Sequence, residues 1–244
     1  MRKLKLIVQY DGTDFAGFQR QPNAVTVQGV LEERLARVLG HPVALTAASR
    51  TDAGVHALGQ VACLETEVGL PVEAAPVAFT AALPDSVAVA EACEVDPSFH
   101  PRFDAKGKRY VYRVVPRPVR SPILGRFAWC VTDALSVEAM QAAAEHIIGR
   151  RDFRSFCAAG SPVEDFVRHV TRLDIAPDAD ILEFRIEADG FLYKMVRNIV
   201  GTLVEVGRGG LAPEHVAQIV AARDRRQAAR TAPPQGLCLV KVRY

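Results

Sequence analysis

Residues 4–40 read LKLIVQYDGTDFAGFQRQPNAVTVQGVLEERLARVLG, and this stretch decides the fold reading. Leu4 to Tyr10 alternates apolar and polar residues, the period of a strand with one buried face. A polar loop carrying Gly12, Gly17 and Pro22 interrupts it. Thr26 then stands where a helix N-cap belongs. Val27, Val30, Leu31, Leu35 and Val38 recur at helical spacing, and Gly40 supplies the stop. Strand, loop and capped helix make the first βα unit of a mixed domain.

The same grammar continues outward. Val43 to Ala48 and Gly59 to Thr66 read as strands. Pro71 opens a helix to about Leu83, weakened by Pro76, and Val87 to Val95 reads as a strand. In the second half, Lys108 to Val115 is a strand and Ser136 caps a helix to about Ile148. Val167 to Ile175 and Ile181 to Ala188 are strands joined by a turn at Pro177 to Asp180. Tyr193 to Val206 is a helix, Pro213 opens another to about Arg223, and Leu237 to Val242 closes the chain as a strand. Each half follows the order βαββαβ, the split βαβ or ferredoxin-like pattern. The expected class is therefore α+β: two similar halves joined into one mixed, mainly antiparallel sheet, with helices on one face and an active-site groove between the halves. The boundary falls in Pro97 to Gly107, giving an N-terminal half of residues 1–105 and a C-terminal half of residues 106–244. No residue-level repeat links the two.

Composition narrows the function. With 244 residues, 49% hydrophobic and 24% charged, the chain is long enough to bury a core in each half. It has no apolar run approaching the roughly 20 residues of a membrane span. The basic, alternating N-terminus lacks the apolar length and cleavage site of a signal peptide, so a cytoplasmic protein is expected. Five widely spaced cysteines without a CxxC argue against a disulfide framework or a zinc knuckle. No metal site is expected. Charge is uneven although the net value is only +2. Thr51 to Pro101 contains no Lys or Arg, whereas Arg102 to Arg126 holds Arg102, Lys106, Lys108, Arg109, Arg113, Arg117, Arg120 and Arg126 against Asp104 alone. A second basic run is Arg223, Arg225, Arg226 and Arg230. Such asymmetry fits a polyanionic partner.

The densest polar stretch in an otherwise apolar region is SRTDAGVHA, Ser49 to Ala57, between two expected strands. On an extended backbone Arg50 and Asp52 point to one side, and a guanidinium beside a carboxylate keeps it ionised. That suits a nucleophile or an oriented base. From the pattern alone, an Arg–Asp pair pinning a loop is the stronger reading. His56 is set aside as a structural loop histidine.

SRTDAGVHA resembles the signature of the tRNA pseudouridine synthase A family. Four further strings are similar in order along the chain: YDGTDFAGFQRQP (Tyr10 to Pro22), KGKRYVYR (Lys106 to Arg113), FLYKMVRNIVGTLVEVGRG near Phe191, and TAPPQGLCLVKVRY to the C-terminus. The resemblance implies isomerisation of uridine to pseudouridine in the anticodon stem-loop of tRNA, at positions 38–40. That reaction is redox-neutral and needs no nucleotide or metal, so no cofactor is expected. The resemblance makes Asp52 the catalytic nucleophile, with Arg50 holding it charged. Tyr110 becomes the active-site tyrosine, Arg197 a second cation, and Leu237 an apolar contact for the target base. From spacing alone, Tyr110 and Leu237 are ordinary core residues and Arg197 a surface one. Lys194, Arg197 and Gly201 are expected on one helix face, with Gly201 allowing a close backbone approach. Arg20, Lys108, Arg109 and Arg113 are the candidate RNA contacts. The resemblance also implies a homodimer. A non-catalytic RNA-binding protein on the same scaffold is the alternative.

Overall fold

The computed structural model describes residues 1–160 and 163–244. In chain order the elements are β1 (Arg2–Tyr10), α1 (Val27–Leu39), β2 (Thr46–Ala47), β3 (His56–Thr66), α2 (Ala75–Ala82) and β4 (Val87–Val95). Then come β5 (Gly107–Pro116), β6 (Trp129–Val131), α3 (Val137–Glu145), β7 (Gly149–Asp152), β8 (Val167–Asp178), β9 (Ile181–Ala188), α4 (Met195–Gly207), α5 (His215–Ala222) and β10 (Leu237–Arg243). Strand pairing is mostly antiparallel, and the α+β class holds. None of the helices among the described residues is long and apolar enough to cross a membrane.

The chain divides into two compact units, residues 1–106 with 238–244, and residues 107–237. In the first, the strand order is β4-β1-β3-β10, with β2 on β3. β1 lies antiparallel between β3 and β4, and β10 runs parallel to β3. Leu4, Leu6 and Val8 of β1 are fully buried with Leu31 and Leu35 of α1 and Phe79 of α2. Burying side chains of this kind contributes about 1.5–3 kcal/mol each. Helix α1 begins as expected, with the Thr26 hydroxyl accepting from Gly29 N–H, and ends at Gly40 in the left-handed conformation.

In the second unit the order is β5-β9-β8-β7, with β6 parallel to β5. Its core gathers Tyr112, Met140, Phe153, Phe156, Phe184, Ile199 and Leu203. Helix α4 is buried around almost its whole circumference, as expected of a helix wrapped by its own unit.

Four local readings need correction. The strand expected over Val43 to Ala48 shrinks to two residues, because α1 satisfies the Leu45 backbone instead of a ladder: Leu45 N–H donates to Glu32 at 2.9 Å and Gln28 donates to the Leu45 carbonyl at 3.1 Å. Pro76 does not weaken its helix. It lies in the first turn of α2, where a missing N–H leaves no bond unmade. The expected turn at Pro177 tightens to Ala179 and Asp180, and Pro177 itself pairs with Leu182. Helix α4 starts only at Met195, because Lys194 sits at φ +56°, so Lys194 does not share the Arg197 face. The short strands β6 and β7 are additions that periodicity is too brief to show.

Candidate active site

Strand β2 ends at Ala47, and residues 48–55 form a loop entering β3. In this loop Arg50 is exposed, Thr51 buried and Asp52 half-buried. The Val55 N–H donates to the Asp52 carbonyl at 3.2 Å, closing a tight turn whose third residue, Gly54, has φ +75°. That conformation belongs to glycine in a type II turn.

Three neighbours hold this turn. The Tyr10 hydroxyl lies 2.7 Å from the Thr51 hydroxyl. Fully buried Gln60 donates to the Ser49 carbonyl at 2.8 Å and accepts from Ser49 N–H at 3.2 Å, gripping the loop two residues before Arg50's neighbour Thr51. The loop after β1 presses on the other side: Phe18 N–H donates to the Thr51 carbonyl at 3.1 Å and Gly54 N–H to the Phe15 carbonyl at 3.3 Å. Gly17 lies at φ +101°, and a methyl group there would stand 2.9 Å from the Thr51 carbonyl oxygen and 3.3 Å from Ala53 N. Only glycine allows that approach. His56 Nδ1 lies 3.0 Å from Gly12 N and 3.1 Å from Asp11 Oδ1. Bare, it accepts from Gly12; protonated, it donates to Asp11. Either state ties His56 to the loop after β1.

The second unit carries Tyr110, Arg197 and Leu237. Tyr110 of β5 is buried to 7% exposure, its ring edge-on to Phe191 at 5.1 Å. Arg197 Nε donates to the Ala232 carbonyl at 2.8 Å, and Ala232 N–H returns a bond to the Arg197 carbonyl at 3.0 Å. Gly201, one turn on, allows the expected close approach: a methyl there would overlap the Arg230 carbonyl oxygen. Leu237 is buried at the start of β10.

A buried polar network supports the segment leading to Leu237. The Tyr112 hydroxyl donates to the Pro233 carbonyl at 2.7 Å. Burial drives its phenol well above the ordinary range, against the opposing charges of Arg197 and Arg230. Fully buried Asn198 donates to the Phe156 carbonyl at 2.8 Å and accepts from Thr231 at 2.6 Å and Arg225 at 3.0 Å. Desolvation lowers the Arg225 pKa. Arg225 thus faces its own chain, while Arg226 pairs with Asp224 at 2.7 Å and Arg223 with Asp152 at 3.3 Å. Asn198 in an otherwise apolar helix was the available sequence signal for this network; Gln60 in β3 was the equivalent signal in the first unit.

The candidate RNA contacts are half-buried Lys108, exposed Arg20, which pairs with Glu32 at 3.0 Å, and two arginines of β5. Across the β5–β9 ladder Arg109 faces Glu187 and Arg113 faces Glu183. Their ion pairs measure 2.7 and 3.0 Å, and the two carboxylates are buried. Burial raises the Glu183 pKa, but hydrogen bonds and charge from Arg185 and Arg113 outweigh it and hold the group below its ordinary value. No cluster of three or more His, Cys, Asp or Glu able to hold a metal ion occurs among the described residues.

The loop carrying Asp52 is braced within the first unit, and Tyr110 and Arg197 are anchored within the second. The chain matches the family model described as tRNA pseudouridine synthase over residues 6–104 and 143–244. It belongs to the tRNA pseudouridine synthase family, an isomerase family. It is 49% identical to tRNA pseudouridine synthase A of Geobacter sulfurreducens over 244 residues, covering 100% of both chains. It is 47% identical to the protein of that name from Moorella thermoacetica over 243 residues, covering 99% of each. Among solved structures, the archaeal box H/ACA sRNP Nop10-Cbf5 complex is similar at TM-score 0.42 and 12% identity, over 98% of this chain and 48% of that one; a likeness at that level adds nothing to the assignment.

Proposed function

We propose that this chain isomerises uridine to pseudouridine at positions 38–40 in the anticodon stem-loop of tRNA, working as a cytoplasmic homodimer. The observation that carries the reading is the full-length similarity to proteins named tRNA pseudouridine synthase A, joined to Asp52 on a turn braced by Tyr10, Gly17 and Gln60. In the reaction the bond from the ribose to N1 of uracil breaks, the base turns, and a bond forms to C5. C5 gives up its proton and N1 gains one, so no oxidant or co-reactant is needed.

In this reading Asp52 is the nucleophile, and its backbone is held before substrate arrives, so little ordering remains for the reacting step. Arg50 and Arg197 supply cations. Tyr110 presents a ring to the uracil and a hydroxyl for hydrogen bonding. Leu237 packs on the base. A uridine within a stem must leave the stack, at a cost of about a few kcal/mol. Arg20, Lys108, Arg109 and Arg113 hold phosphates, which fixes register without reading sequence. The test is tritium release from tRNA labelled with [5-³H]uridine, comparing wild type with Asp52→Ala. Release by wild type, with the variant below about a hundredth of that rate and tRNA affinity within a few-fold, is the expected result. Wild type without release sinks the activity; an active Asp52→Ala sinks the nucleophile.

A further inference from the structure

The second unit holds a pocket of about 430 Å³ lined by His146 beyond α3, Arg150, Arg151 and Asp152 of β7, and Val220 and Arg223 at the end of α5. None of these residues belongs to the candidate active site. Three arginines and one aspartate line it, and that carboxylate is engaged: Asp152 pairs with Arg223 at 3.3 Å and accepts from Arg154 N–H at 2.9 Å. Arg151 spends one of its five N–H donors on the Ile148 carbonyl at 3.0 Å.

The β7–β8 register sets a further arginine beside these: Arg151 stands directly opposite Arg168. Like charges paired across a ladder destabilise a sheet, and β7 is an edge strand of its unit. A concavity lined by Arg150, Arg151 and Arg223 against Asp152 alone, with Arg168 opposite Arg151 on the ladder, is suited to an anion that offsets their repulsion.

We infer that this pocket is a phosphate-binding site that takes a backbone phosphodiester of the RNA substrate. The inference rests on tRNA being that substrate. Phosphate contacts hold and orient an RNA without reading its bases, so the pocket adds affinity and leaves the chemical step alone.

The test compares wild type, Arg150→Ala/Arg151→Ala and Arg150→Lys/Arg151→Lys in the full chain, by binding of a complete tRNA transcript at several salt concentrations. The alanine pair is expected to bind about ten-fold more weakly at 0.1 M salt, with the log–log salt slope reduced by about 1.4–1.8 for two lost contacts. Turnover at saturating tRNA stays the same, and the lysine pair keeps most of the slope. Should the alanine pair not fold, phenylglyoxal modification of wild type read by mass spectrometry replaces it, with tRNA expected to protect Arg150 and Arg151. An unchanged affinity and slope in a folded variant, or no protection, overturns the site. Inorganic phosphate binding that the alanine pair abolishes, with tRNA binding intact, also overturns it by assigning the pocket to free phosphate. Wild-type tritium release separates these outcomes from failure of the substrate itself: a protein that neither binds nor modifies tRNA fails on both counts.

Discussion

The Tyr10 and Thr51 hydroxyls lie 2.7 Å apart in the protein interior, so the residue beside Asp52 is held by the last residue of β1. The bond joins the end of one strand to the loop before another. It belongs to a wider brace in which Gln60, Phe15, Gly17 and Phe18 hold the backbone on both sides of Asp52.

Gly17→Ala tests that brace. The new methyl meets Thr51 and Ala53 backbone, and the residue sits at φ +101°. Strain of this kind costs about 1–3 kcal/mol, and displacing a catalytic group by about 1 Å costs on the order of 10² in rate. The expected outcome is a lower melting temperature and a fall of about 10–100-fold in tritium release. Gly40→Ala is the control: it carries a similar φ of +72° but has nothing within 4 Å. It is expected to lose stability and keep activity.

Tyr110→Phe and Tyr112→Phe should separate chemistry from support. Removing the Tyr110 hydroxyl keeps its ring against Phe191. A fall of about 10²–10⁴-fold in turnover at unchanged tRNA affinity is expected if the hydroxyl takes part in proton transfer. Tyr112→Phe instead leaves the Pro233 carbonyl without its donor. Its expected effect is about 1–3 kcal/mol of stability, read by denaturant unfolding. A normal rate in Tyr110→Phe would leave that residue a packing group.

Arg197→Ala removes the Nε–H donor from the Ala232 carbonyl, on a residue that is fully buried. The expected outcome is about 1–3 kcal/mol of destabilisation together with loss of turnover. Gln should restore part of the stability, since its amide can donate to the same carbonyl, and none of the turnover if a cation is needed. Equal recovery of both would assign Arg197 a structural role alone.

Glu183 predicts an acid-side stability change. Its folded pKa is below the ordinary carboxylate value, so its contribution is present above the unfolded value of about 4.3. It is lost as pH falls through the folded value. Glu183→Gln should therefore be less stable than wild type near neutral pH, by about 1–2 kcal/mol given the partly exposed arginines. The gap should close as pH falls through that lowered folded value. A constant gap from pH 7 to pH 3 would remove the ion pairs from the account.

Much of this protein is local, and local features are what a sequence determines. The Thr26 cap, the Gly40 stop and the alternation of β1 depend on neighbours within a few residues, and each appears where the pattern places it. The string around Asp52 is likewise contiguous, so the family likeness it carries is legible as a string. Tertiary structure decided the rest. The Leu45 backbone leaves its ladder because Gln28 and Glu32, on a different element, satisfy it. Arg109 and Arg113 read as free cations until the β5–β9 register sets Glu187 and Glu183 opposite them. Gln60 and Asn198 read as isolated polar residues, since their partners lie 11 to 50 and 27 to 42 positions away in sequence. Periodicity reports which face is buried; it carries no information about which distant groups meet there, because register and loop closure choose them only once the chain has folded.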